Sequence, residues 1–98
     1  MLVPMSMLTP TTIIDIRHGL GISQERMAQM LGVSYVSVNR WENGHSAVTG
    51  AVADLYRAFA AALARGHAAA KILASASGDR GQFLFLLYAM AFGPEGAP

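Results

Sequence analysis

With 98 residues, 53% of them hydrophobic and 13% charged, the chain is sized for one domain with a single core and at most a short appended element. The absence of cysteine excludes disulfides, thiolate metal sites and a cysteine nucleophile. A formal net charge of +1 gives no electrostatic pointer to a polyanionic partner, and over residues 1–50 Arg17, Arg26 and Arg40 are balanced by Asp15, Glu25 and Glu42.

Alanine and leucine are abundant, β-branched residues are few and no stretch alternates with period two, so the expected fold class is all-α. Residues 1–8 mix methionine with Val3 and Pro4 without periodicity and are expected to be a flexible leader. Thr9-Pro10 has the form of a helix start. Threonine caps well, and proline at the first helical position gives up an amide that has no partner there anyway. This helix is expected to reach about His18 and to end at Gly19 or Gly21. Ser23 is the next cap and opens 24–31, where Met27, Ala28 and Leu31 make one apolar face. Gly32 closes that helix, and Ser34 caps a third one, which carries Val38 and Trp41 and stops at Asn43-Gly44. Thr49 begins a fourth, with Val52, Leu55, Tyr56, Phe59 and Leu63 on one side and Gly66 at its end.

Residues 68–76 are alanine-rich and expected to be helical, 77–81 a turn or linker, 82–92 a last apolar segment and 93–98 a frayed tail. The expectation is a bundle of four to five helices plus an apolar C-terminal helix, with a strand as the alternative for 83–88. The run 83–92 is apolar on every side and must find cover. Phe83, Leu84, Leu86, Leu87 and Met90 are therefore candidate dimerisation residues; the alternative is that the segment folds back on the fourth and fifth helices. At ten residues that run is about half of what a membrane-spanning helix needs, and the N-terminus lacks a basic region leading into a long apolar stretch. A cytoplasmic protein without membrane contact is expected.

His18, His45 and His67 stand far apart with no paired-ligand spacing and read as surface residues, so neither a metal nor another cofactor is expected. A glycine-rich phosphate loop and paired carboxylates are also missing, and an enzyme is not expected.

Two short helices joined by a tight glycine-containing turn meet the mechanical requirement for setting one helix into a DNA major groove. Ala28 lies where the two would approach most closely, and Gly32 permits the sharp turn without a Cβ penalty. Val33, Val38 and Trp41 point back to the core, leaving Tyr35, Val36, Ser37, Asn39 and Arg40 outward. The segment LGISQERMAQMLGVSYVSVNRWENG, residues 20–44, resembles the Xre/Cro/phage-repressor helix-turn-helix family, with the Gln24, Ala28, Gly32, Val38, Trp41, Glu42 and Gly44 spacing unbroken. The upstream LTPTTIIDIRHGLG resembles that family's first helix and 49–63 its fourth, so the likeness spans roughly residues 8–65.

The resemblance implies a DNA-binding domain over 9–66, with a C-terminal helical extension over 67–92. It implies a core of Ile13, Ile16, Leu20, Ile22, Met27, Leu31, Val38, Trp41, Leu55 and Phe59. It implies a structural ion pair between Arg17 and Glu42. Tyr35, Val36, Asn39 and Arg40 match base-contacting positions, while Gln24, Ser34, Ser37 and Asn43 are the implied phosphate contacts. Chemistry agrees: Arg40 offers two parallel donors to guanine, Asn39 suits adenine, and Val36 and the Tyr35 ring suit a thymine methyl. After Gly44 many relatives place lysine or arginine and then proline, whereas this chain has His45, Ser46, Ala47 and Val48. Phosphate binding would then rely on backbone amides, helix ends and dimerisation.

The functional expectation is a sequence-specific transcriptional regulator, a homodimeric repressor reading double-stranded DNA at a palindromic operator through helix 35–43. Two alternatives stand beside it. One is the antitoxin of a toxin–antitoxin pair, holding its toxin with the apolar C-terminal region. The other is a protein-interaction module that keeps the fold without binding DNA.

Overall fold

The computed structural model describes residues 8–93, and six α-helices and one short 3-10 turn make up the regular structure of that stretch. The leader expected at 1–8 therefore falls outside the described residues except for Leu8, and the tail at 93–98 except for Gly93.

Helix α1, Pro10–Leu20, starts where Thr9 Oγ1 accepts the Thr12 amide and proline occupies the first turn. It runs past the expected His18, through Gly19 to Leu20, and Gly21, one of the two expected stops, caps it in the left-handed region at φ 71°. The extension has a packing reason. Ile13, Ile16 and Leu20 fall on one face and all three are buried, so stopping at His18 would strand Leu20 outside the core. Helices α2 (Gln24–Leu31) and α3 (Tyr35–Glu42) follow, each opened by a serine whose hydroxyl accepts an amide three residues on. Between them Gly32 sits at φ 74°, a conformation that costs a side-chain-bearing residue about 1–2 kcal/mol.

Helix α4, Gly50–Ala64, buries Ala53, Leu55, Tyr56, Ala58, Phe59 and Ala62, while Val52 and Leu63 are half-buried at its margins. The residues up to Arg57 form one compact unit and those from Ala58 a second. In the first unit the core holds Ile13, Ile16, Leu20, Met27, Ala28, Met30, Leu31, Val38 and Tyr56. Ile22, Val33 and Trp41, expected in the interior, are half-buried; Trp41 meets Tyr56 edge-on, with ring centroids 6.3 Å apart.

In the second unit α5 (Ala69–Ala74) tightens into the 3-10 turn Ser75–Ser77, and α6 spans Arg80–Phe92. Asp79 caps α6 by accepting the Gln82 amide at 2.8 Å, which draws Arg80 and Gly81 out of the expected linker and into the helix. Residues 83–88 are helical throughout, which removes the strand alternative.

Phe83, Leu87 and Met90 need a correction as dimerisation candidates. Spaced by four and three, they share one face of α6 and are buried within the chain; the Phe83 ring lies 6.2 Å from that of Phe59. The opposite face shows Phe85 (55% exposed) and Phe92 (45%), while Leu86 is exposed on the flank next to Phe83 and Met90 and Leu84 is half-buried. Among the described residues no helix is long and apolar enough to cross a membrane.

Candidate nucleic-acid interface

The surface of interest is built by α2, its turn and α3. Ala28 is buried, which lets the two short helices approach, and Val38 is fully buried on the inner side of α3. Helical periodicity then turns Tyr35, Val36 and Arg40 outward, and all three are exposed; Val36 reaches 61% and Tyr35 48%. An exposed valine and tyrosine on adjacent positions contribute nothing to the core. The Arg40 guanidinium makes no hydrogen bond or ion pair to another described residue.

A hydrogen-bonded chain of polar side chains runs behind that face. Arg17 binds Glu42 with two parallel bonds, Nε to Oε2 at 2.7 Å and Nη2 to Oε1 at 2.8 Å. Its Nη1 donates to the Ile22 carbonyl at 3.0 Å, tying α1 to the segment leading into α2. Gln24 donates to Glu42 Oε1 at 2.9 Å and accepts from Asn39 Nδ2 at 3.3 Å. Asn43 in turn donates to the Asn39 carbonyl at 2.9 Å and to Asn39 Oδ1 at 3.1 Å.

The electrostatics follow from these contacts. Burial alone would raise the Glu42 carboxyl, but hydrogen bonds from Arg17 and Gln24 and the Arg17 charge outweigh it, holding Glu42 below the usual carboxylate range. The same hydrogen bond to Glu42 raises Arg17 further, against a smaller opposing effect of burial. Tyr56 is pushed well above an ordinary phenol by burial first and by the nearby Glu42 charge second, so it stays neutral.

The base-contact set thus divides. Tyr35, Val36 and Arg40 are open to solvent, whereas Asn39 is half-buried and both ends of its side-chain amide are engaged by Gln24 and Asn43. In the phosphate set, Gln24 at the head of α2 is held between Glu42 and Asn39. Ser34 and Ser37 are bonded to one another through their hydroxyls at 3.0 Å. The sequence reading missed the link from Gln24 to Asn39 and Glu42. Only the Asn39–Asn43 pair, four apart on one helix face, carried a local signal. Among the described residues no three His, Asp or Glu side chains gather as metal ligands would.

A family model described as helix-turn-helix matches residues 13–57, from the first buried residue of α1 to the middle of α4. Neither the curated proteins nor the solved structures searched gave a match. The matched stretch contains both capped helices, the left-handed Gly32 between them and the Arg17–Glu42 pair that braces α3 against α1. Residues 13–57 are thus a helix-turn-helix segment of the Xre/Cro/lambda-repressor-like family of DNA-binding regulators.

Proposed function

We propose that the protein is a homodimeric transcriptional repressor that reads a palindromic operator by setting α3 into the major groove. The observation that carries this reading is the outer face of α3. There Tyr35, Val36 and an unpaired Arg40 are exposed together, while Val38 and Glu42 on the opposite side are locked into the fold. Arg40 donates to guanine N7 and O6, and Tyr35 and Val36 pack on a thymine methyl. Asn39 reads adenine only by releasing Gln24 or Asn43, so its contribution is smaller. Gln24, Ser34 and Ser37 lie at the N-terminal ends of α2 and α3, where backbone amides favour phosphate, whereas Asn43 follows the C-terminal end of α3 and offers only its side-chain amide. The dimer contact uses the exposed side of α6, Phe85, Leu86 and Phe92 with Leu84 beside them. Two copies then present their recognition helices about one DNA turn apart. The reading involves no cofactor, and residues 13–57 bear the recognition.

The test is fluorescence anisotropy with DNA from just upstream of the protein's own gene, random DNA and an Arg40→Ala variant. Expected is sequence-dependent binding that Arg40→Ala weakens by roughly 5- to 150-fold, equivalent to about 1–3 kcal/mol. Equal, weak binding to specific and random DNA would overturn it in favour of a protein-interaction module. The exposed aromatic side of α6 also suits an antitoxin holding its toxin, a reading that co-purification of a neighbouring gene product would favour.

A further inference from the structure

The second unit contains a pocket of about 450 Å³, open on one side and built entirely from the segment 67–90. That volume falls in the range of small-molecule sites, which are mostly apolar with a few convergent polar groups. Here Ala74, Leu86, Ala89 and Met90 supply the apolar wall. Ser75 adds no free polar group, because its buried hydroxyl already donates to the Ile72 carbonyl at 2.6 Å. The polar groups left are Lys71 and His67, four residues apart, and no carboxylate lines the pocket with them. Neither side chain makes a hydrogen bond or ion pair to another described residue.

An apolar trough with one unpaired ammonium and one imidazole at its edge selects a particular chemistry. A cationic ligand would meet Lys71 unfavourably. A neutral hydrocarbon would draw nothing from either polar group, and a multiply charged anion would lie against a mostly apolar wall. A monocarboxylate with an apolar body matches on all counts: its two oxygens can engage Lys71 and His67 while its chain lies against Leu86, Ala89 and Met90. We infer that this pocket binds a small amphipathic carboxylate, which would give the protein an effector site outside the DNA-reading segment. The site lies beyond residue 57 and its test needs no DNA, so it stands or fails separately from DNA reading, although it shares Leu86 with the proposed dimer contact.

The experiment is isothermal titration of the full chain with decanoate below its micellar range, with decanol and decyltrimethylammonium as controls. The expected result is saturable one-to-one binding of decanoate, with both controls weaker. Lys71→Ala should weaken decanoate binding by about two- to fivefold, the range for an exposed ion pair. Ala74→Phe, which places bulk at an exposed rim position, should abolish binding while leaving the thermal midpoint near that of the parent. Decanol binding as tightly as decanoate would overturn the proposal, because the head group would then not be recognised. Decanoate affinity unchanged in both variants would place the ligand elsewhere and overturn it too. A chain that is dimeric by light scattering and takes up no decanoate would assign the groove to a second copy instead.

Discussion

At Glu42 a carboxylate only 8% exposed is held by three donors, two from Arg17 and one from Gln24. A charge buried this far is tolerable only when it is paired and hydrogen-bonded. Replacing it with glutamine removes the charge that Arg17 was placed to meet, and Arg17 is itself mostly covered. Glu42→Gln should therefore lower stability by about 2–3 kcal/mol, read from the urea midpoint at neutral pH. The pH dependence follows from the direction of the shift. Because the folded carboxyl ionises at lower pH than the unfolded one, its contribution is fully present above the unfolded value and fades as pH falls through the folded value. The parent should lose stability below about pH 5 more steeply than Glu42→Gln. Equal slopes for the two proteins would assign the acid limb to other carboxylates.

Each of the first three helices is delimited by side chains that lie next to it in sequence. Thr9, Ser23 and Ser34 each accept an amide three residues on, and Gly21 and Gly32 turn the chain in the left-handed region. Such bonds are local, which is why these starts were legible. Ser23→Ala and Ser34→Ala should each destabilise by about 1 kcal/mol in chemical denaturation, and Ser34→Ala should also weaken DNA binding by loosening the head of α3. Gly19 is the counter-case. It lies inside α1, is exposed and has no positive φ, so Gly19→Ala should stabilise by about 0.5–1 kcal/mol, whereas Gly32→Ala should destabilise. The start of α6 was less legible because Ser77, Gly78, Asp79, Arg80 and Gly81 have turn composition. Only the bond from the Gln82 amide to Asp79 reveals that Asp79 is a cap.

The basic residues of the chain are too few for strong general attraction to DNA. Up to Arg57, Arg17 is paired with Glu42 and Arg57 with Asp54, leaving Arg26, which touches Gln29, and Arg40 facing solvent. A plot of log affinity against log salt should then be shallow, with a slope of roughly −1 to −2 per protomer. A markedly steeper slope would require phosphate contacts from residues not placed at the interface here. Assembly is tested within the second unit. Replacing Phe85 and Phe92 by glutamate puts charge on the exposed side of α6 without touching its buried face. The double variant should shift the light-scattering mass from dimer to monomer. An unchanged mass would remove α6 from the dimer contact.

The sequence by itself determined the helical class, the order of the helices, the caps that open the first three, and the outward placement of Tyr35, Val36 and Arg40. It could do so because capping and the 3.6-residue period act within a turn or two of the chain. Tertiary structure alone decided two other matters. Gln24 lies 15 residues from Asn39 and 18 from Glu42, so no local period brings them together; the packing of α2 on α3 does. Helix α6 is apolar all round, so its sequence carries no amphipathic signal for which side faces inward. Burial of Phe83, Leu87 and Met90 settled that, and it left Phe85, Leu86 and Phe92 as the surface available to a partner.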